Sequence, residues 1–151
     1  MGEPSSQAGH RAVDHTGDVA IELWAPTEPA LLCEAARATV ALMTEAAPGA
    51  TDHAGGGGRA RVLLDTLDRE DRLVQWVNEV IFLAVSEGLL VAGADIDIDD
   101  RGDGGVVSAE LRLSPLPPSG LDTELKSATY HDLRVERGDD GWYRARVVID
   151  V

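Results

Sequence analysis

Along this chain the spacing of apolar residues switches between two and three to four, and each switch marks an element. Val19, Ile21, Leu23 and Ala25 alternate with Ala20, Glu22 and Trp24, the period of a half-buried strand. Thr27 then stands where a helix cap belongs. Leu32, Ala35, Ala36, Thr39, Val40 and Met43 follow at helical spacing, with Pro29 in the first turn, where its missing N–H costs nothing. The AAPG run at 46–49 ends that helix. After the glycines at 55–58, RARVLLDT reads as a strand and DRLVQWVNEVIFLAVSEG as a second helix that stops at Gly88. Only Gln75, Asn78, Glu79 and Ser86 interrupt the apolar surface of this second helix, which predicts a central position with Trp76 and Phe82 in the core. LLVAGADIDID, GVVSAELRL, LKSATYHDLRVERG and GWYRARVVIDV read as strands, divided by the turn signals RGDGG and GDDG. The expected fold class is α+β: a single compact domain with two main helices packed on a largely antiparallel β-sheet.

Composition narrows the function classes. With 151 residues, 44% of them hydrophobic, the chain has the size of one domain, and the expected division is a disordered tail at 1–9 and a folded unit at 10–151. Twenty-seven acidic residues against 13 basic ones give a formal net charge of −14, which repels nucleic-acid phosphates, and no basic run stands out in the sequence. Aromatic residues make up 4% of the chain and offer no obvious stacking platform, so direct nucleic-acid binding is not expected. A single cysteine, Cys33, excludes a disulfide framework and a cysteine-based zinc site. It lies beside the apolar face of the first helix, where packing explains it better than nucleophilic chemistry. MGEPSSQAGH is polar and no stretch of 18 consecutive apolar residues occurs, so the expectation is a soluble, cytoplasmic protein without a membrane partner.

Several tempting motifs fail on spacing. In DIDIDDRGDGG, aspartates 95, 97 and 99 match the first ligands of an EF-hand, but Asp100 stands at the obligatory glycine and Val106 at the bidentate glutamate. Alternation accounts for the stretch instead: Ala94, Ile96 and Ile98 face inward, Asp95, Asp97 and Asp99 face water, and RGDGG turns a hairpin. The glycine run completes neither a phosphate loop nor GxGxxG, and neither HExxH nor GxSxG is present.

The stretch VDHTGDVAIELWA is different, because Asp14, His15, Thr16 and Asp18 gather directly before a strand. DHTGDVAIELWA, LLCEAARATVALMT, LVQWVNEVIFLAVSEGLL, ELKSATYHDLRVER and GWYRARVVIDV occur in the order found in the archease family, which the chain resembles from about His10 to Val151. The HTGD box resembles the family's His-Thr-Ala-Asp, with Gly17 in place of alanine, and the KSATYHDL box and the closing Ile-Asp-Val add two further matches. The resemblance implies a non-catalytic partner of the RtcB-type GTP-dependent RNA ligase. Such a partner promotes guanylylation and multiple turnover of that ligase in tRNA splicing and RNA repair, and it binds a divalent metal, with calcium the expected ion. Carried over by position, it implies metal ligation by Asp18 and Asp150, with a backbone or terminal oxygen of Val151 beside them. A hard cation wants six to eight oxygens, and two carboxylates supply part of that shell.

For the remaining polar residues the residue chemistry leaves choices open. His15 and Thr16 read as supports that bond the backbone of the loop. Tyr130, His131 and Asp132 form either a structured bend or a group in which His131 orients the acidic cluster. Lys126 is either a solubilising strand-edge lysine or a phosphate contact. Two rival functions also stand at this point: a metal-dependent phosphohydrolase using His15 or His131 as acid or base, and an acidic chaperone or scaffold module without catalytic contribution.

Overall fold

In the computed structural model of this chain, the residues described are 7–15, 17–44, 56–102 and 104–151, with His15 described by its main chain alone. The elements run β1 (Gly9–His15), β2 (Asp18–Ala25), α1 (Glu28–Thr44), β3 (Arg59–Thr66), α2 (Arg69–Glu87), β4 (Leu89–Arg101), β5 (Gly104–Pro115), β6 (Ser127–Arg137) and β7 (Tyr143–Asp150). They form a four-stranded sheet, order β1-β2-β7-β6, and a three-stranded sheet, order β3-β5-β4. Every pairing is antiparallel. Both helices touch both sheets: α1 packs on β2 and β4, and α2 on β6, β3 and β4. The result is the expected α+β architecture, with one core shared by both helices and both sheets.

Local chemistry explains the helix ends. The Thr27 hydroxyl accepts from the Ala30 amide at 3.2 Å, and Asp68 does the same for Asp71 at 2.8 Å, each satisfying a donor the helix cannot. Gly88 ends α2 at φ 68°, a left-handed conformation open to glycine, and its N–H reaches the Leu83 carbonyl. Trp76 is fully buried, with its indole N–H donating to the Leu32 carbonyl at 2.6 Å, which ties α2 to α1. In β4 the aspartates 95, 97 and 99 face solvent while Ala94, Ile96 and Ile98 pack against the core.

Two expectations are corrected. Phe82 is 49% exposed and belongs to no core. It sits three and four residues from Glu79 and Asn78 and four from Ser86, so helical geometry places it on the polar stripe those residues define. The strand β1 begins at Gly9, inside the segment expected to be a tail, and pairs with β2 along its whole length from Gly9↔Trp24 to His15↔Asp18. Its residues GHRAVDH offer few apolar positions, as suits an edge strand that backbone pairing holds in place. The helix stop at 46–49, the first glycine at 55 and Asp103 of the RGD turn lie outside the described residues.

A buried ion cluster clamps the two helix starts together. Arg72, in the first turn of α2, has no exposed surface. Its guanidinium donates to Glu28 at the start of α1 (2.7 Å), to Asp100 near the end of β4 (3.1 Å) and to the Thr66 hydroxyl at the end of β3 (3.2 Å). Glu28 is itself buried, so the fork geometry of arginine satisfies charges that would otherwise be costly to desolvate.

Candidate metal centre on the four-stranded sheet

The pairing of β2 with β7 sets Asp18 directly opposite Asp150, although the two stand near opposite ends of the chain. Directly opposed residues project from the same face of a sheet. Their neighbours Val19 and Ile149 are buried in the core, so alternation sends both aspartates out of the face that the helices do not cover. One strand further out on either side, His15 lies opposite Asp18 and Ser127 opposite Asp150, completing a row of four positions across the sheet.

The chain end is held in the same place. The Val151 amide donates to the Gly17 carbonyl at 3.4 Å, and the Lys126 amide donates to the Asp150 carbonyl at 2.9 Å. Gly17, directly ahead of β2, has φ 78° and so uses the left-handed freedom of glycine. Asp18, Asp150, Val151 and Lys126 therefore gather at one end of the sheet, with the main chain of His15 beside them. Thr16 and the His15 side chain lie outside the described residues.

The donor set has the chemistry of a hard-cation site left open on one side. Two carboxylates in register, with main-chain oxygen of Val151 following Asp150, supply oxygen only. Among the described residues no group of three or more His, Cys, Asp or Glu side chains that could hold a metal ion is present, so these side chains alone do not make a closed cage. Ser127 is the neighbour that sequence reasoning missed. A serine that opens a strand carries no signal of its own, and only the β6–β7 register reveals where it stands.

His131 and Asp132 are elsewhere. The β6–β7 ladder breaks its register between Thr129 and Arg134, and Asp132 adopts φ 51° within this bulge. The His131 ring nitrogen lies 3.3 Å from the Asp132 carboxylate, and both side chains are exposed. The bulge begins three residues along β6 from Ser127, so it forms the structured bend among the two alternatives, and His131 turns to Asp132 rather than to the aspartate pair.

The bulge has its own anchor, which the sequence did not reveal. The Tyr130 hydroxyl donates to Asp71 at 2.7 Å, and the same carboxylate accepts from the Leu67 amide at 2.9 Å and the Gln75 amide at 2.8 Å. Burial pushes the Asp71 carboxyl up, but the Tyr130, Leu67 and Gln75 donors together outweigh it and hold Asp71 below its ordinary 3.8. The bond to Asp71 in turn raises the Tyr130 phenol. A carboxylate whose folded value is depressed adds stability that is present above its unfolded value and is lost as pH falls through the folded one. Tyr130→Phe is therefore expected to lower stability by roughly 1–2 kcal/mol at neutral pH, the scale of a hydrogen bond to a charged group in a half-exposed setting. Urea unfolding against pH checks this: the gap between variant and wild type should narrow as pH falls from 3.8 through the depressed value of Asp71, and a gap that does not change with pH over that fall would contradict the assignment.

Comparison with known proteins matches these strands throughout. The family profile described as "Archease protein family (MTH1598/TM1083)" matches residues 10–151. Protein archease of Methanopyrus kandleri is 30% identical over 141 residues, covering 92% of this chain and 96% of that one. A probable protein archease of Mycobacterium tuberculosis is 35% identical over 153 residues, covering 99% of this chain and 79% of that one. The solution structure of Methanobacterium thermoautotrophicum protein 1598 shares the fold at a TM-score of 0.74 and 22% identity, covering 95% of this chain and 99% of that chain. Since the family match runs from the strand before Asp18 through the chain's last residue, this chain belongs to the archease family.

Proposed function

We propose that this chain is a non-catalytic, metal-binding protein cofactor of an RtcB-type GTP-dependent RNA ligase, promoting guanylylation and multiple turnover of that ligase in tRNA splicing and RNA repair. Family membership supports the partner, and the in-register pair Asp18 and Asp150 is the single observation that carries the metal reading. Asp18 and Asp150 hold the cation with a main-chain oxygen of Val151, and calcium suits this all-oxygen set. When bound, the cation supplies positive charge that draws phosphate and carboxylate oxygens of a partner to the open positions. Lys126, just ahead of β6, adds a positive charge at the rim. The net charge of −14 steers the chain toward a basic, RNA-binding surface, so raising salt should slow encounter with the ligase.

The experiment is multiple-turnover RNA ligation by the cognate ligase with GTP and manganese, with and without substoichiometric amounts of this protein. The expected result is turnover that continues past one product per ligase only when the protein is present. Equal turnover without it would defeat the reading. Release of phosphate from nucleotide by the protein alone would instead favour the phosphohydrolase, and activation that survives loss of both aspartates would favour the scaffold.

A further inference from the structure

The face that carries the aspartate pair has a second charged line. Four residues along β7 from Asp150, about 13 Å at ~3.3 Å per residue, Arg146 lies opposite Glu22 on one side and opposite Arg134 on the other, and Glu22 lies opposite Arg11. All four residues sit in register with the even-numbered positions of β2 and β7, so they share the uncovered face with Asp18 and Asp150. Arg11 and Arg146 thus flank the Glu22 carboxylate, and Arg134 lies beyond Arg146. Arg11 takes that carboxylate through two of its nitrogens, and Arg146 approaches its other oxygen only to 3.9 Å. Among the described residues Arg134 makes no ion pair, and it is exposed. Two residues further along β6, Glu136 lies opposite Arg144, which Asp140 already holds at 2.8 Å.

Like charges directly opposite across two strands are destabilising, and a chain with 27 acidic residues has no shortage of carboxylates to separate them. We infer that the uncovered face of the four-stranded sheet carries a phosphate-ester site built on Arg134 and Arg146, with Arg11 at its flank. Two arginines at directly opposed positions carry more donors than the two oxygens of a carboxylate can take, and guanidinium forks suit the three non-bridging oxygens of a phosphate monoester. The net charge of the chain repels polyanions as a whole, but this line is locally positive. The site needs no cation, so it stands or falls separately from the metal reading.

The test titrates the full-length protein, in EDTA, with three probes: inorganic phosphate, adenosine 5′-monophosphate and a six-nucleotide single-stranded RNA. Amide NMR shifts and thermal unfolding are the readouts, with Arg134→Glu as the variant because that side chain is exposed. The expected result is saturable binding centred on β6 and β7 for at least one probe, weakened at least tenfold in Arg134→Glu. In the absence of any probe the same variant should unfold about 1–3 °C higher, because it places opposite charges face to face. The tightest probe then tells free phosphate from a nucleotide and from an RNA strand. Absence of saturable shifts with all three probes, equal binding by the variant, or a lowered unfolding temperature would each overturn the inference.

Discussion

Arg72→Leu is expected to cost about 3–5 kcal/mol of folding stability, the scale for breaking a buried ion pair by removing one partner. The size follows from what remains. Glu28 is buried, and without the Arg72 guanidinium at 2.7 Å its charge faces a desolvated site with only Arg69 at 3.9 Å to answer it. The Thr66 hydroxyl, which donates to the Gly105 carbonyl, loses the nitrogen that donates to it. Domains are stable by only about 5–15 kcal/mol, so this one change threatens the fold. Asp100 contributes little to the loss because it is 63% exposed and returns to water. The paired variant Arg72→Met with Glu28→Leu should recover most of the stability, because it removes both charges and keeps the volume. Urea unfolding of the single and double variants measures both. A single variant within 1 kcal/mol of wild type would mean that water already reaches the cluster.

The second large effect concerns the cation. Asp150→Asn and Asp18→Asn are each expected to weaken calcium binding by more than about 100-fold, since loss of a group that merely supports a ligand already costs about 10–100-fold. Thermal unfolding gives the readout without the ligase. Calcium at a hundredfold excess over its dissociation constant adds about 2.7 kcal/mol, or roughly 5–10 °C for a chain of this length. That rise should vanish in both variants, and stimulation of the ligase should vanish with it. In metal-free buffer Asp150→Asn should be no less stable than wild type, because Asp150 is exposed and directly opposes a second carboxylate. If calcium raises the unfolding temperature of Asp150→Asn as much as that of wild type, the opposed pair is not the metal site.

Among the described residues no helix is long and apolar enough to cross a membrane, which agrees with the apolar pattern of the sequence. The single cysteine also behaves as a packing residue: burial raises the Cys33 thiol, which points its sulfur toward the Ala94 carbonyl at 3.5 Å. A raised thiol is a poor nucleophile.

What could be read along the chain was whatever depends on neighbours in sequence. Alternation at Val19 to Ala25 and at Ala94 to Asp99 placed strands and their buried sides, and the Thr27 cap and Gly88 stop bounded helices, because side-chain period and capping are set within a few residues. The exposure of Phe82 is legible too, because its spacing from Asn78, Glu79 and Ser86 sets it on their stripe despite its apolar character. The motifs HTGD and Ile-Asp-Val pointed at Asp18 and Asp150 by resemblance to a family, not by any property of the intervening residues. Only the tertiary structure decided that these two face each other, that Ser127 joins their row, that Tyr130 anchors a bulge on Asp71, and that Arg134 stands against Arg146. Those facts depend on strand register between distant segments. A shift of one residue in β7 would turn Asp150 and Arg146 to the opposite face and bury neither Val147 nor Ile149, so the burial of those two residues is what selects the register.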